Sequence, residues 1–424
     1  MKARLVLMAV FLLLLLSVIL WAAAVDLGPF STFYLRHFGL LFASTGLVLI
    51  LLQFVFVSRI KFIEDGFGLD RMFWWHRLFG RVGLSLVAAH AAMIILYRLI
   101  EFGELFPDIY FWVGLTALVG FSVTAALAVY YKKIGLAYET WRNIHLFNYL
   151  LFPLVLIHVF YHALNPVSPL FYLWLALAAI FGAVVVYRLV RINAIRNNPY
   201  EVVEVKQEAD DIWSLFFKGK KISFKPGQFM LIQLLRSGKR SSPHPFTISN
   251  SPTREHMSIT PKELGDFTST IKDTKVGDQA YIDAPYGVFS FLNYNPGEIV
   301  YLAGGIGITP FMSMIRYIHD HKLDLKVTLF WANRDESYLC FRNEIREIEE
   351  EMEGFKKFFV MSDQPDWPGE KGLINSGMIK DKLGALEGKD FFICGPPPMI
   401  KAVIADLKEN RVPPDKIHTE IFEL

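Results

Sequence analysis

The stretch HRLFGRVGLSLVAAH, residues 76–90, holds two imidazoles fourteen positions apart in a largely apolar run. On an α-helix that interval is about 21 Å of rise, and it leaves the two rings within about 40° of one face. Ionisable side chains inside a membrane-spanning helix are costly and usually have a task. The flanking sequence supports a membrane setting. Six apolar runs, near 5–25, 37–57, 73–97, 110–131, 143–163 and 169–190, each have the length of about 20 helical residues that a bilayer requires. The first begins MKAR and ends near AAA at 22–24, as a cleaved signal peptide does, but its apolar run is long for one and is read as a retained span.

Charge orients the spans. Arg59, Lys61, Arg71, Arg77, Arg81, Lys132, Lys133, Arg188, Arg191 and Arg196 fall on one side; Asp26, Glu101, Glu104 and Asp108 fall on the other. Basic loops stay inside, which places the termini and the polar half of the chain in the cytoplasm. On that topology the third and fifth spans both run outward. His76 and His145 then share the inner level, and His90 and His158 the outer level. Two levels of paired imidazole make room for two stacked haems, each iron held by one histidine from each helix; bis-histidine haem is a low-spin electron carrier. The second pair is thirteen residues apart, about 140° out of phase on an ideal helix. Pro153 lies between them, and an internal proline re-aims a helix. His162, one turn beyond His158, is the rival outer ligand. His37 belongs to no pair and is read as an interfacial residue. Arg36 and Arg98, on the outer side, are snorkelling arginines or partners for haem propionates.

The rest of the 424-residue chain reads differently. The overall 53% hydrophobic content is concentrated before about residue 190, the net charge of +2 gives nucleic-acid binding no electrostatic support, and two cysteines, Cys340 and Cys394, build neither a disulfide framework nor a cysteine-ligated metal site. After RINAIRNNP come short alternating runs (YEVVEVKQ, IWSLFFK, QFMLIQLL, HMSIT, QAYIDAP) split by the turns KPGQ and VGDQ, the pattern of a small antiparallel barrel. From Gly297 strands and helices alternate, which predicts a parallel sheet covered by helices. The domains expected are therefore 1–197 in the membrane, 198–296 as the barrel and 297–424 as the α/β part.

Three motifs stand out in the polar half. HPFTISNSP (244–252) precedes KELGDFTSTI (262–271), where Gly265, Phe267 and Thr268 would open a helix whose N-terminus attracts phosphate. LAGGIGITP (302–310) is a glycine-rich turn between strand and helix, with Pro310 where a dinucleotide fingerprint has its third glycine. CGPPPMI (394–400) follows a buried strand, at the end where such sheets bind ligands.

With these motifs the polar half resembles the ferredoxin–NADP⁺ reductase superfamily, and the whole chain, over roughly residues 37–424, is similar to the NADPH oxidase and ferric reductase family of transmembrane flavocytochromes. That resemblance implies FAD and NADPH beside the two b-type haems. His244, Pro245, Phe246 and Thr247 match the flavin motif, with the Thr247 hydroxyl near the flavin; Gly265, Phe267 and Thr268 match the FAD pyrophosphate segment. Gly304, Gly305, Gly307, Thr309 and Pro310 match the NADPH pyrophosphate turn, and Arg334 stands where the family sets a basic residue for the 2′-phosphate. Cys394, Gly395 and Pro396 match the nicotinamide-side loop, Cys394 lying by the hydride path without serving as a nucleophile. The family places an aromatic residue on the flavin near the C-terminus; here Phe422 fits, with Glu420 near flavin N5. The activity implied is electron transfer from cytoplasmic NADPH to an outside acceptor. Oxygen, giving superoxide at the haem edge, ranks before a ferric chelate; a haem-free, membrane-anchored flavin reductase is the rival from another class. The partners expected are membrane lipid, NADPH and the acceptor, with no obligatory subunit. No calcium-binding loop is evident, and constitutive activity is expected.

Overall fold

A computed structural model describes residues 2–24, 33–103, 108–162, 169–294 and 296–420. Asp26, Glu104 and Phe422, named above, lie outside the described residues. The chain divides into two compact units, Met1–Ile192 and Asn193–Leu424.

The first unit is helical: α1 (Lys2–Ala24), α2 (Phe33–Val57), α3 (Lys61–Phe67), α4 (Leu69–Phe102), α5 (Ile109–Tyr130), α6 (Tyr138–Leu146), α7 (Asn148–His162) and α8 (Pro169–Arg196). Six segments among the described residues are long and apolar enough to cross a membrane, α6 and α7 together forming one of them. α2 is the most enclosed and packs along α4, while α5 packs along α7. The ring of Phe54 on α2 meets Tyr149, Phe152 and Phe181 edge-on at 4.9, 5.2 and 5.1 Å. Lipid gives helices no hydrophobic reason to associate, so such van der Waals contacts, about 0.5–1.5 kcal/mol per aromatic pair, help hold the bundle.

Helix limits differ from those that hydropathy suggests. α4 has 34 residues rather than the run 73–97, because helix formation continues through the polar residues at both ends until Gly103 (φ +67°) stops it in the left-handed region. The fifth span is interrupted at Phe147, whose N–H donates to the Ile144 carbonyl at 3.0 Å in a tight i−3 turn. The bend expected at Pro153 thus falls upstream of it, beside Tyr149, the residue whose carbonyl the proline ring crowds and leaves without a helical donor.

The second unit has two sheets. β1 (Tyr200–Ala209), β2 (Ile212–Lys218), β3 (Phe229–Arg236), β4 (Lys239–Arg240), β5 (His244–Thr247), β6 (Met257–Ile259) and β7 (Gln279–Tyr286) form an antiparallel sheet in the order β4-β3-β7-β1-β2-β6, with β5 also on β3. Alternate residues Met230, Ile232 and Leu234 pack inward with Leu215, Phe217 and Ile259. The Ser249 N–H donates to the Ser258 carbonyl at 2.9 Å and joins the two ends.

The second sheet is all parallel. Its elements are β8 (Glu298–Gly304), α9 (Thr309–Asp320), β9 (Lys326–Asn333), α10 (Arg342–Glu351), β10 (Phe355–Met361), β11 (Glu370–Lys371), α11 (Ser376–Leu383), β12 (Lys389–Cys394), α12 (Pro397–Glu409) and β13 (Ile417–Glu420), and the strand order is β11-β10-β9-β8-β12-β13. Tyr301 and Ala303 face α9 and α10, whereas Val300 and Leu302 face α11 and α12. Covered on both faces, β8 and β12 are almost continuously buried and apolar. The chain reverses its direction of strand addition between β8 and β12, the switch point where open sheets of this kind take ligands.

Candidate cofactor sites

α4 brings His76 to His145 of α6, with ring centres 6.1 Å apart and planes at 75°. A metal–imidazole bond is about 2 Å and the ring centre lies about 1 Å beyond its nitrogen, so two rings on opposite sides of one metal stand about 6 Å apart. Nδ1 of both rings is buried without a hydrogen-bond partner among the described residues, near the backbone of Gln53 for His76 and of Thr124 for His145.

At the other level, His90 Nδ1 lies 2.9 Å from the Gly39 carbonyl of α2, and His158 Nδ1 lies 2.8 Å from the Tyr110 carbonyl of α5. A carbonyl only accepts, so the proton sits on Nδ1 and Nε2 keeps its lone pair, the arrangement of a metal-ligating histidine. Gly114 of α5 makes room for the second ring: a Cβ there would stand 2.6 Å from His158 Nδ1. Among the described residues the ring contacts between these histidines are His76 with His145 and His158 with His162, not His90 with His158. His162 packs edge-on against His158 at 4.8 Å, is exposed, and stands 4.0 Å from Asp108. His37 is buried; Trp21 of α1 covers this turn of α2 and donates its indole N–H to the His37 carbonyl at 2.7 Å.

No three His, Cys, Asp or Glu side chains converge as metal ligands among the described residues. A metal held by two imidazoles must bring its remaining donors, as iron in a porphyrin does. The residues present fit such a group. Gly114→Ala is expected to push His158 off its carbonyl and lower the haem content towards one per chain, measured as haem per protein; Gly182→Ala, with nothing within 4 Å of its Cβ, should leave the content unchanged.

In the second unit, β5 pairs with β3 in the register Ile232–His244 to Phe229–Thr247, and Thr247 is buried. Phe267 stacks on His244 with centres 3.9 Å apart and planes at 11°, so the HPFT and GDFT segments meet. Arg236, which the sequence did not mark, lies over the Phe267 ring at 5.7 Å and donates to Thr270 Oγ1 at 2.8 Å. The helix expected after Gly265 is a short 3₁₀ turn, Thr268–Asp273. Thr268 Oγ1 accepts from the Leu264 and Gly265 N–H groups at 2.9 and 3.0 Å.

The glycine-rich turn and the CGPPPM loop lie side by side at the switch point. Ala303 of β8 is in register with Cys394 of β12, and Cys394 with Glu420 of β13. A Cβ on Gly307 would come within 2.4 Å of the Cys394 carbonyl and 2.8 Å of the Gly395 nitrogen; one on Gly304 would meet Met399 Sδ and, at 2.8 Å, Pro396 Cδ. Gly305 takes φ +52°, and its carbonyl accepts from Trp331 Nε1 at 2.8 Å. Thr309 bonds the Ile306 carbonyl at 3.1 Å, and Pro310 occupies the first turn of α9. Cys394 is fully buried; burial, with the Glu420 carboxylate adding to it, pushes its thiol well above the ordinary range, away from the thiolate form that nucleophilic cysteines use. Arg334 is exposed just past β9, at the same end of the sheet.

Family models match the chain in three places: a ferric reductase-like transmembrane component over residues 42–156, an FAD-binding domain over 197–290 and an oxidoreductase NAD-binding domain over 301–404. This is the architecture of the NADPH oxidase and ferric reductase family, with a ferredoxin-reductase-like half. The matched parts are thus a ferric reductase-like transmembrane component, over helices long and apolar enough to cross a membrane, followed by FAD- and NAD-binding oxidoreductase domains. The glycine betaine monooxygenase reductase subunit of Chromohalobacter salexigens is 29% identical over 232 residues, covering 52% of this chain and 62% of the relative. The flavohemoprotein of Halalkalibacterium halodurans is 28% identical over 244 residues, covering 52% and 59%. The chain thus spans about 60% of the length of these curated relatives. Among solved structures, the flavohem-like FAD/NAD-binding domain of nitric oxide dioxygenase from Vibrio cholerae aligns with TM-score 0.48 and 20% identity over 53% of this chain and 98% of that one.

Proposed function

We propose that the protein is a transmembrane NADPH oxidase, taking electrons from cytoplasmic NADPH through FAD and two b-type haems to oxygen across the membrane and giving superoxide. The observation that carries this reading is the pairing of His76 with His145 at a separation suited to one shared metal. When bound, FAD accepts a two-electron hydride and releases electrons singly, and bis-histidine haem carries one electron at a time.

The chain's own part is binding and placement. His76 and His145 would hold the inner haem, His90 and His158 the outer one. Carbonyls on neighbouring helices keep Nδ1 protonated at His90 and His158, which supports His158 over His162. The HPFT strand with Phe267 and Thr268 would hold FAD, and the turn Gly304–Pro310 with Gly395 and Pro396 would hold the NADPH pyrophosphate and nicotinamide side. Arg334 offers a guanidinium to a 2′-phosphate, and Phe422 would cover the flavin. The basic flanks of the spans support a cytoplasmic nucleotide half.

The test supplies NADPH to the purified protein and records cytochrome c reduction with and without superoxide dismutase, beside ferric-chelate reduction. The expected result is cytochrome c reduction that the dismutase removes. Ferric-chelate reduction with no dismutase-sensitive component would make iron the acceptor, and reduction of soluble dyes alone by a haem-free protein would leave only a membrane-anchored flavin reductase.

A further inference from the structure

One buried guanidinium links the two nucleotide motifs. Arg316, on the inner face of α9, is 6% exposed. Its Nη1 donates to the Ser249 carbonyl at 2.7 Å, its Nε to Glu344 Oε1 of α10 at 2.7 Å, and its Nη2 to Glu344 Oε2. The guanidinium also lies 4.8 Å from the Phe341 ring. Ser249 follows HPFTI directly, and α9 begins at the glycine-rich turn. The same face of α9 repeats the connection at both neighbouring turns. Ser313 Oγ donates to the Asn250 carbonyl at 2.8 Å, and Asp320 accepts from Thr253 and from Arg254. Positions 313, 316 and 320 are one helical stripe, and all three grip the loop 249–254.

Among the described residues the antiparallel and parallel sheets share no strand pairing, so side chains set their relative position. Phe289 against Phe311 and Phe392, at 5.8 and 5.7 Å, gives cohesion without direction. A planar fork with three aimed bonds fixes register as well. Burial alone would raise the Glu344 carboxyl; the Arg316 bonds and charge, together with the charges of Arg254 and Lys206, outweigh it and hold Glu344 below the usual carboxylate range.

We infer that Arg316 is a positioning residue for hydride transfer, setting the NADPH pyrophosphate turn that opens α9 against the flavin strand β5 through Ser249 and Glu344. This rests on the NADPH-to-FAD reading above. Reacting atoms must approach within about 3–3.5 Å, and a misplacement of about 1 Å can cost on the order of 100-fold in rate.

The experiment compares full-length FAD-loaded protein with Arg316→Met, Arg316→Lys and Glu344→Gln. Two quantities are read: anaerobic flavin bleaching at saturating NADPH, and amide hydrogen exchange of residues 249–254 and 309–320 without NADPH. Arg316→Met is expected to retain NADP⁺ binding within about threefold, slow bleaching at saturation by about 10- to 100-fold, and raise exchange in both segments together. Lysine, which cannot span Ser249 and both Glu344 oxygens, should restore only part. Bleaching within twofold of the parent, or exchange unchanged in both segments, overturns the inference. If Arg316→Met fails to load FAD, Glu344→Gln decides by the same criteria. If NADPH does not bleach the parent itself, the functional reading fails, and the exchange data still decide whether Arg316 couples the two segments.

Discussion

Leucine in place of His76 is expected to remove one haem per chain and to abolish NADPH-driven reduction of an acceptor across the membrane, while NADPH-driven reduction of a soluble dye by the flavin half continues. His76 stands 6.1 Å from His145, and leucine offers the same site no donor. Disturbing only the outer-shell partner of a metal ligand costs about 10- to 100-fold in affinity, so loss of the ligand itself should exceed that. The comparison is made on one preparation: haem per protein, dismutase-sensitive cytochrome c reduction and dye reduction. If transmembrane activity and haem content both survive, His76 is a packing residue and the pairing has no functional meaning. His145→Leu should reproduce the phenotype, because either half of the pair is useless alone.

The second large effect is expected from a single methyl group. Gly307→Ala sets a Cβ within 2.4 Å of the Cys394 carbonyl, 2.6 Å of its carbon and 2.8 Å of the Gly395 nitrogen. All three neighbours are main chain at the end of a buried central strand, so no flexible side chain can yield. Overpacking of this kind costs about 1–3 kcal/mol and more where backbone must move. Spent on the nucleotide turn, about 3 kcal/mol corresponds to roughly 100-fold in NADPH affinity. Titration of flavin bleaching with NADPH should show that loss. Gly297→Ala, whose Cβ meets nothing within 4 Å, provides the control and should behave as the parent does. Equal NADPH affinity in the Gly307 variant would remove the glycine-rich turn from the nucleotide site.

Much of the architecture was legible in the residues because it follows from periodicity. Six apolar runs mark six spans, and the change from alternating runs to strand–helix repeats at Gly297 separates the antiparallel from the parallel sheet. Hydropathy reports lipid contact and not helix continuity, which is why α4 overran its apolar run and why the interruption at Phe147 could not be placed. The approach of His76 to His145, and the candidates His90 and His158, were legible from spacing and topology. Their supports were not: the carbonyls of Gly39 and Tyr110 are main-chain groups that any residue possesses, and only the packing of α2 on α4 and α5 on α7 brings them to the rings. Gly114 left a faint signal, a small residue in an apolar span where helices come close. Arg316 left none, since an arginine on an amphipathic helix reads as solvated until its partners at Ser249 and Glu344 arrive from elsewhere in the chain.

The central claim is that paired imidazoles hold two haems in one chain. A pyridine haemochromogen assay on the purified full-length protein, normalised to its FAD, tests this most directly. The account predicts two b-type haems per flavin; one haem, or none, in a protein that retains its FAD would contradict it.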